Sequence, residues 1–118
     1  HTAIDAGAKI VMGHGPHMPL GVEIYKDRPV FYGMGNFSFD IGHRAKHPDW
    51  IGTFATVEIE DGDLAEVSLQ LIRHNPDNET YLRNPGDEPE EMENILSRSK
   101  VLGTELTVEQ NRILVWKK

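Results

Sequence analysis

Two imidazoles, His14 and His17, lie in the line Lys9-Ile10-Val11-Met12-Gly13-His14-Gly15-Pro16-His17. A short apolar run leads into a Gly/Pro loop that carries both. Open α/β sheets place their chemistry on loops at strand ends. Neutral imidazole is a good ligand for zinc, iron or manganese. Two imidazoles so spaced can face one ion if the loop turns. Gly15 permits unusual backbone angles, and Pro16 keeps Gly15 out of the helical region. The same spacing also arises by accident, in which case both are ordinary polar loop residues.

Two histidines do not complete a metal site. Catalytic zinc usually takes three protein ligands and keeps an open position. Two-metal sites need more donors, to hold ions about 4 Å apart. The candidates within the chain are Asp40, His43, His47 and Asp49, in an irregular segment that reads equally well as a solvated loop. Asn36, in Gly35-Asn36-Phe37, could hydrogen-bond a substrate oxygen or a ligand histidine, or cap its own loop. The acidic run from Asp87 to Glu93 suits the positive end of a helix dipole as well as it suits a cation. Trp50 and Trp116 read as packing residues. There is no Walker-type glycine loop, no G-x-S-x-G elbow and no H-E-x-x-H.

The elements that must position these residues are legible from turns and periodicity. Residues 1–8 read as the end of a helix already under way, with Gly7 near its cap, so the chain is expected to be a piece of a longer protein. Ile10-Val11-Met12 reads as a buried strand. Gly21-Val22-Glu23-Ile24-Tyr25 and Pro29-Val30-Phe31-Tyr32-Gly33-Met34 form a hairpin around the connection Lys26-Asp27-Arg28. Residues 52–60 and 64–72 form a second hairpin around Asp61-Gly62-Asp63. Residues 74–87 read as a long surface loop. Residues 89–102 predict a helix: Pro89 lies in its first turn, Met92, Ile95, Leu96 and Ser99 form a stripe, and Gly103 stops it. Thr104-Glu105-Leu106 and Ile113-Leu114-Val115-Trp116 read as closing strands.

The chain has 118 residues, a formal charge of −7, 38% hydrophobic residues and no cysteine. That is enough for one modest α/β domain. It excludes disulfides, thiolate metal sites and a cysteine nucleophile. The acidic balance argues against a nucleic-acid partner.

The stretch Ile4-Asp5-Ala6-Gly7-Ala8, the run Ile10 to His17, Gly21 to Tyr25, Arg28 to Tyr32 and Gly35-Asn36-Phe37 together resemble the C-terminal part of the bacterial capsule synthesis protein CapA family. That family is linked to poly-γ-glutamate capsules and to the calcineurin-like metallophosphoesterase superfamily. The likeness covers roughly the first third of the chain and returns weakly at Ser97 to Thr104. It implies an α/β fold, the C-terminal portion of a metallophosphoesterase-like sandwich built mainly of β-hairpins, with residues 1–118 as one domain or fragment. It implies His14 and His17 as ligands of Mn, Fe or Zn, and His14 and Asn36 as catalytic residues. The spacing is one residue longer than the superfamily's Gly-His-x-His, so which histidine serves which ion stays open. The remaining ligands are expected upstream, so these residues alone are not expected to hydrolyse anything efficiently. Implied partners are the upstream part of the same polypeptide, the capsule polymer and capsule-synthesis membrane proteins, at the outer face of the cell envelope. The alternative is a non-catalytic structural or export component that retains the fold.

Overall fold

Two tight turns organise the chain. The computed structural model describes residues 1–16, 18–35, 51–77 and 79–118. Strand β2 (Val22–Tyr25) turns into β3 (Arg28–Phe31) through Lys26 and Asp27, with φ of +50° and +60°. Positive φ at both central residues is what a type I′ hairpin turn requires. The connection is therefore two residues long rather than three, and Arg28 joins the strand. Strand β4 (Ile51–Glu60) turns into β5 (Asp63–His74) through Asp61 and Gly62, at +52° and +77°. The Asp-Gly signal predicted this turn.

The described residues form two sheets. The small one has the order β1-β3-β2, with β1 (Val11–Met12) parallel to β3 and β2 antiparallel. The large one has the order β4-β5-β8-β7, where β7 is Thr107–Val108 and β8 is Ile113–Lys117. One further strand, β6 (Thr80–Arg83), pairs with residues 71–74 of β5, beyond the stretch that β8 pairs. The sheets meet where Gly35 bridges Gly52 and the Thr53 N–H donates to the Met34 carbonyl at 2.7 Å.

A single core joins both sheets. Val22 and Phe31 come from the small one, and Val67, Leu69, Leu71, Ile113 and Val115 from the large one. Helix α2 (Pro89–Val101) closes the core with Met92 and Ile95. A short helix, α1 (Thr2–Asp5), opens the chain and buries Ile4. Burying each large apolar side chain contributes about 1.5–3 kcal/mol. Among the described residues the architecture is mixed α/β, mostly sheet, with one long helix near the C-terminus, as expected. No helix among the described residues is long and apolar enough to cross a membrane.

Helix α2 also terminates the small sheet. The Val22 N–H donates to Ser99 Oγ at 3.0 Å, and the Ile24 N–H to Thr104 Oγ1 at 3.0 Å. Both hydroxyl-bearing residues are buried. The outward-facing donors of β2 thus meet fixed acceptors, and no bare edge is left there.

Four expectations need correction. Strand β1 is not buried: Val11 is half-buried and Met12 is 49% exposed, because β1 is the outer strand of its sheet. Residues 74–87 are not all loop, since β6 and a 3-10 turn (Pro85–Asp87) lie within them. The last hairpin pairs Thr107 and Val108, not residues 104–106, because Thr104 is taken up as the acceptor for Ile24. Glu88 does not merely complement the helix dipole. Its carboxylate receives Arg73 at 2.8 and 2.7 Å and Arg83 at 3.0 Å, tying β5 and β6 to the start of α2.

Candidate functional site

Because β1 and β3 run parallel, their carboxyl ends lie side by side, with Val11 opposite Val30 and Met12 opposite Phe31. The chain leaving β1 becomes Gly13-His14. The chain leaving β3 becomes Tyr32-Gly33-Met34-Gly35, which leads in sequence to Asn36. The loop that bears His14 and the turn before Asn36 therefore share one end of the small sheet. This is the position at which parallel strands present ligands.

Close backbone approach builds this end. The Gly13 N–H donates to the Phe31 carbonyl at 2.6 Å. A Cβ at Gly13 would lie 2.8 Å from the Tyr32 carbonyl oxygen. A Cβ at Gly35 would lie 2.8 Å from the Gly52 Cα and the Ile51 carbonyl oxygen. Gly15 has a φ of +124°, so its freedom is used as the Gly-Pro pair suggests. The loop returns where Pro19 bridges Met34 and the Leu20 N–H donates to the Gly33 carbonyl at 3.0 Å. It is fastened from the far side of the chain as well, since Arg98 Nη1 donates to the Pro19 carbonyl at 2.7 Å.

His14 is exposed at this end of the sheet. His17 and Asn36 lie outside the described residues, as do Asp40, His43, His47, Asp49 and Trp50. Among the described residues, no three of the His, Asp and Glu side chains are grouped to hold a metal ion. Trp116 is half-buried and packs against the core, as expected.

A second polar cluster was not legible beforehand. Glu23 on β2 accepts a hydrogen bond from the Tyr32 hydroxyl at 2.6 Å, and its other oxygen lies 2.7 Å from His1 Nε2. The His1 ring stacks on Tyr25 at 3.7 Å between centroids. The Tyr25 hydroxyl and Lys26 Nζ both donate to Asp5, at 3.1 and 2.6 Å. The bond to Glu23 raises the Tyr32 phenol pKa above its ordinary value. Lys26 holds the Asp5 carboxyl below the usual carboxylate range. The cluster ties α1 to the hairpin. Its only sequence signal was Glu23 and Tyr25 sharing one face of β2.

The geometry of this sheet end coincides with a family match. Residues 1–41 match the family described as bacterial capsule synthesis protein PGA_cap, a stretch that contains α1 and the whole small sheet. Through those residues the chain is similar to the capsule synthesis family. The chain is 62% identical over 37 residues to an uncharacterized protein of Sinorhizobium fredii, covering 31% of the chain and 8% of that protein. It is 49% identical over 39 residues to the capsule biosynthesis protein CapA of Bacillus anthracis, covering 33% of the chain and 10% of CapA. A probable polyglutamine synthesis accessory protein of Mycobacterium tuberculosis is 35% identical over 77 residues, covering 61% of the chain and 20% of that protein. The chain thus spans a fifth or less of the length of these relatives.

Proposed function

We propose that this chain is part of a protein of poly-γ-glutamate capsule synthesis, and that its His14 loop contributes to a divalent-metal, phosphoesterase-like centre. One observation supports the reading above all. The family match falls on the small sheet, and the loop in that match stands at the carboxyl ends of two parallel strands with His14 exposed.

The described residues do not fit a complete metal site by themselves. They offer one exposed imidazole at this end, where a catalytic zinc takes three protein ligands. The proposal therefore has His14 and His17 as ligands, joined by donors outside the described residues, with Asn36 orienting a ligand or the substrate. Mn, Fe or Zn held there would supply Lewis-acid activation of water or of a phosphoryl or carbonyl oxygen. His14 itself would contribute an imidazole nitrogen. The Gly13 and Gly35 approaches hold the surrounding backbone in place. The partners on this reading are the remainder of the polypeptide, the capsule polymer and membrane components of its synthesis.

The test is calorimetric titration of the full-length protein with Mn²⁺ and Zn²⁺, beside its His14→Ala and His17→Ala variants. Micromolar or tighter binding that either substitution abolishes is the expected result. A full-length protein that binds neither ion sinks the metal reading. It would leave a structural or export role within the capsule machinery.

A further inference from the structure

The exit of the His14 loop is gripped by the last turns of α2. The Pro19 carbonyl accepts Arg98 Nη1 at 2.7 Å. Gly21 lies so close to the helix that an added Cβ would sit 2.8 Å from the backbone carbon and oxygen of Arg98. Val22, the next residue, donates its N–H to Ser99 Oγ. The Ser99 contact ends in β2. The Arg98 side chain alone among these reaches back past the strand to the loop. Among the described residues no carboxylate pairs with Arg98, so its charge is directed at the Pro19 carbonyl. Hydrogen bonds donated by a guanidinium are charge-assisted.

We infer that Arg98 is a positioning residue, which fastens the loop exit to α2 and so sets where His14 stands over the carboxyl ends of β1 and β3. The helix thereby acts on a site to which it contributes no ligand. This inference rests on the reading of His14 as a site residue.

Two variants of the full-length protein test it. Arg98→Met keeps an aliphatic stem in the groove lined by Leu20, Tyr32 and Leu102, and removes every donor. Arg98→Lys restores one donor. Arg98→Met is expected to speed amide exchange in peptides covering residues 13–21 by about tenfold, the factor that losing a charge-assisted bond implies. Peptides from β5 should be unchanged, and Mn²⁺ affinity should fall by a similar factor. Arg98→Lys should recover part of both losses. Ser99→Ala is the contrast, since an orphaned Val22 N–H should speed exchange across the whole small sheet.

Unchanged exchange at residues 13–21 overturns the inference. So does faster exchange with unaltered Mn²⁺ affinity, or a uniform change like that of Ser99→Ala. If the unsubstituted protein binds no Mn²⁺, the functional reading fails separately. The His14 ring resonances in nuclear magnetic resonance then decide. A shift in Arg98→Met that Arg98→Lys reverses supports the inference, and its absence overturns it.

Discussion

The two sheets are built by different means. The small sheet uses strands of two to four residues, and backbone packs directly on backbone at Gly13, Gly21 and Gly35. The large sheet rests on β4 and β5, of 10 and 12 residues, whose buried side chains fill the core. Arginine–carboxylate pairs clamp its margins, Glu88 with Arg73 and Arg83, and Glu66 with Arg112 at 2.9 Å. The family match covers the small sheet, not the large one. A sheet end made of close backbone contacts can hold a loop in one place with few side chains. Long alternating strands can anchor it without taking part. The difference separates presentation of the loop from support of the fold.

If that separation is real, the largest loss of stability should come from the supporting sheet. Leu71 in β5 is fully buried. Leu71→Ala should cost about 3 kcal/mol in global unfolding, by lost transfer energy and a residual cavity. Urea denaturation measures it, and a cost below about 1 kcal/mol would break the comparison.

Gly35→Ala should cost less overall and act locally. The added methyl meets backbone at 2.8 Å and sits at a φ of +75°, so something must shift. A cost of about 2 kcal/mol is expected. Amide exchange at Thr53, which donates to Met34, should rise more than exchange in β8. Equal rises in both would mean that the two regions respond as one unit.

The smallest effect should come from a pair that links the regions. Asp63, at the start of β5, accepts a hydrogen bond from Arg28 of β3 at 2.6 Å. Arg28 first, then the Leu64 N–H, lower its pKa from 3.8 to about 2. The folded value lies below the unfolded one. The contribution is therefore full above the unfolded value and is lost as the pH falls from near 3.8 to about 2. Asp63→Asn should lower stability slightly at neutral pH and converge with the parent as the pH falls to about 2, so that the acid limb of its stability–pH curve is shallower over that window. Arg112 and Arg73 lower the pKa values of Glu66 and Glu88 in the same direction, so some acid sensitivity remains. A variant with an unchanged acid limb would show that this link is idle.

Much of the fold was legible because its signals are local. Asp61-Gly62 announces a hairpin from adjacent residues, and the stripe from Met92 to Ser99 announces which face of α2 is buried. Strand β6 escaped notice because four residues between Asn and Pro carry little periodicity of their own. It becomes a strand only against residues 71–74. Glu88 looked like a dipole partner because its neighbours Glu90 and Glu91 are in the first turn, while its arginines lie on other strands. Of the candidate site, the chain revealed the His14 loop and the need for glycine at 15. It did not reveal why positions 13, 21 and 35 tolerate no side chain, since those neighbours are remote in sequence.

The amino-acid sequence by itself determined the turns, the helix and the likeness of residues 1–41 to the capsule synthesis family, because each is written in short stretches of residue type and spacing. Tertiary structure alone decided that the His14 loop and the turn before Asn36 share one sheet end. It also decided that a helix residue 79 positions beyond Pro19 fastens that loop. The physical reason is that hydrogen bonds and backbone contacts between distant residues depend on how the sheets and α2 pack together. No local pattern encodes that packing.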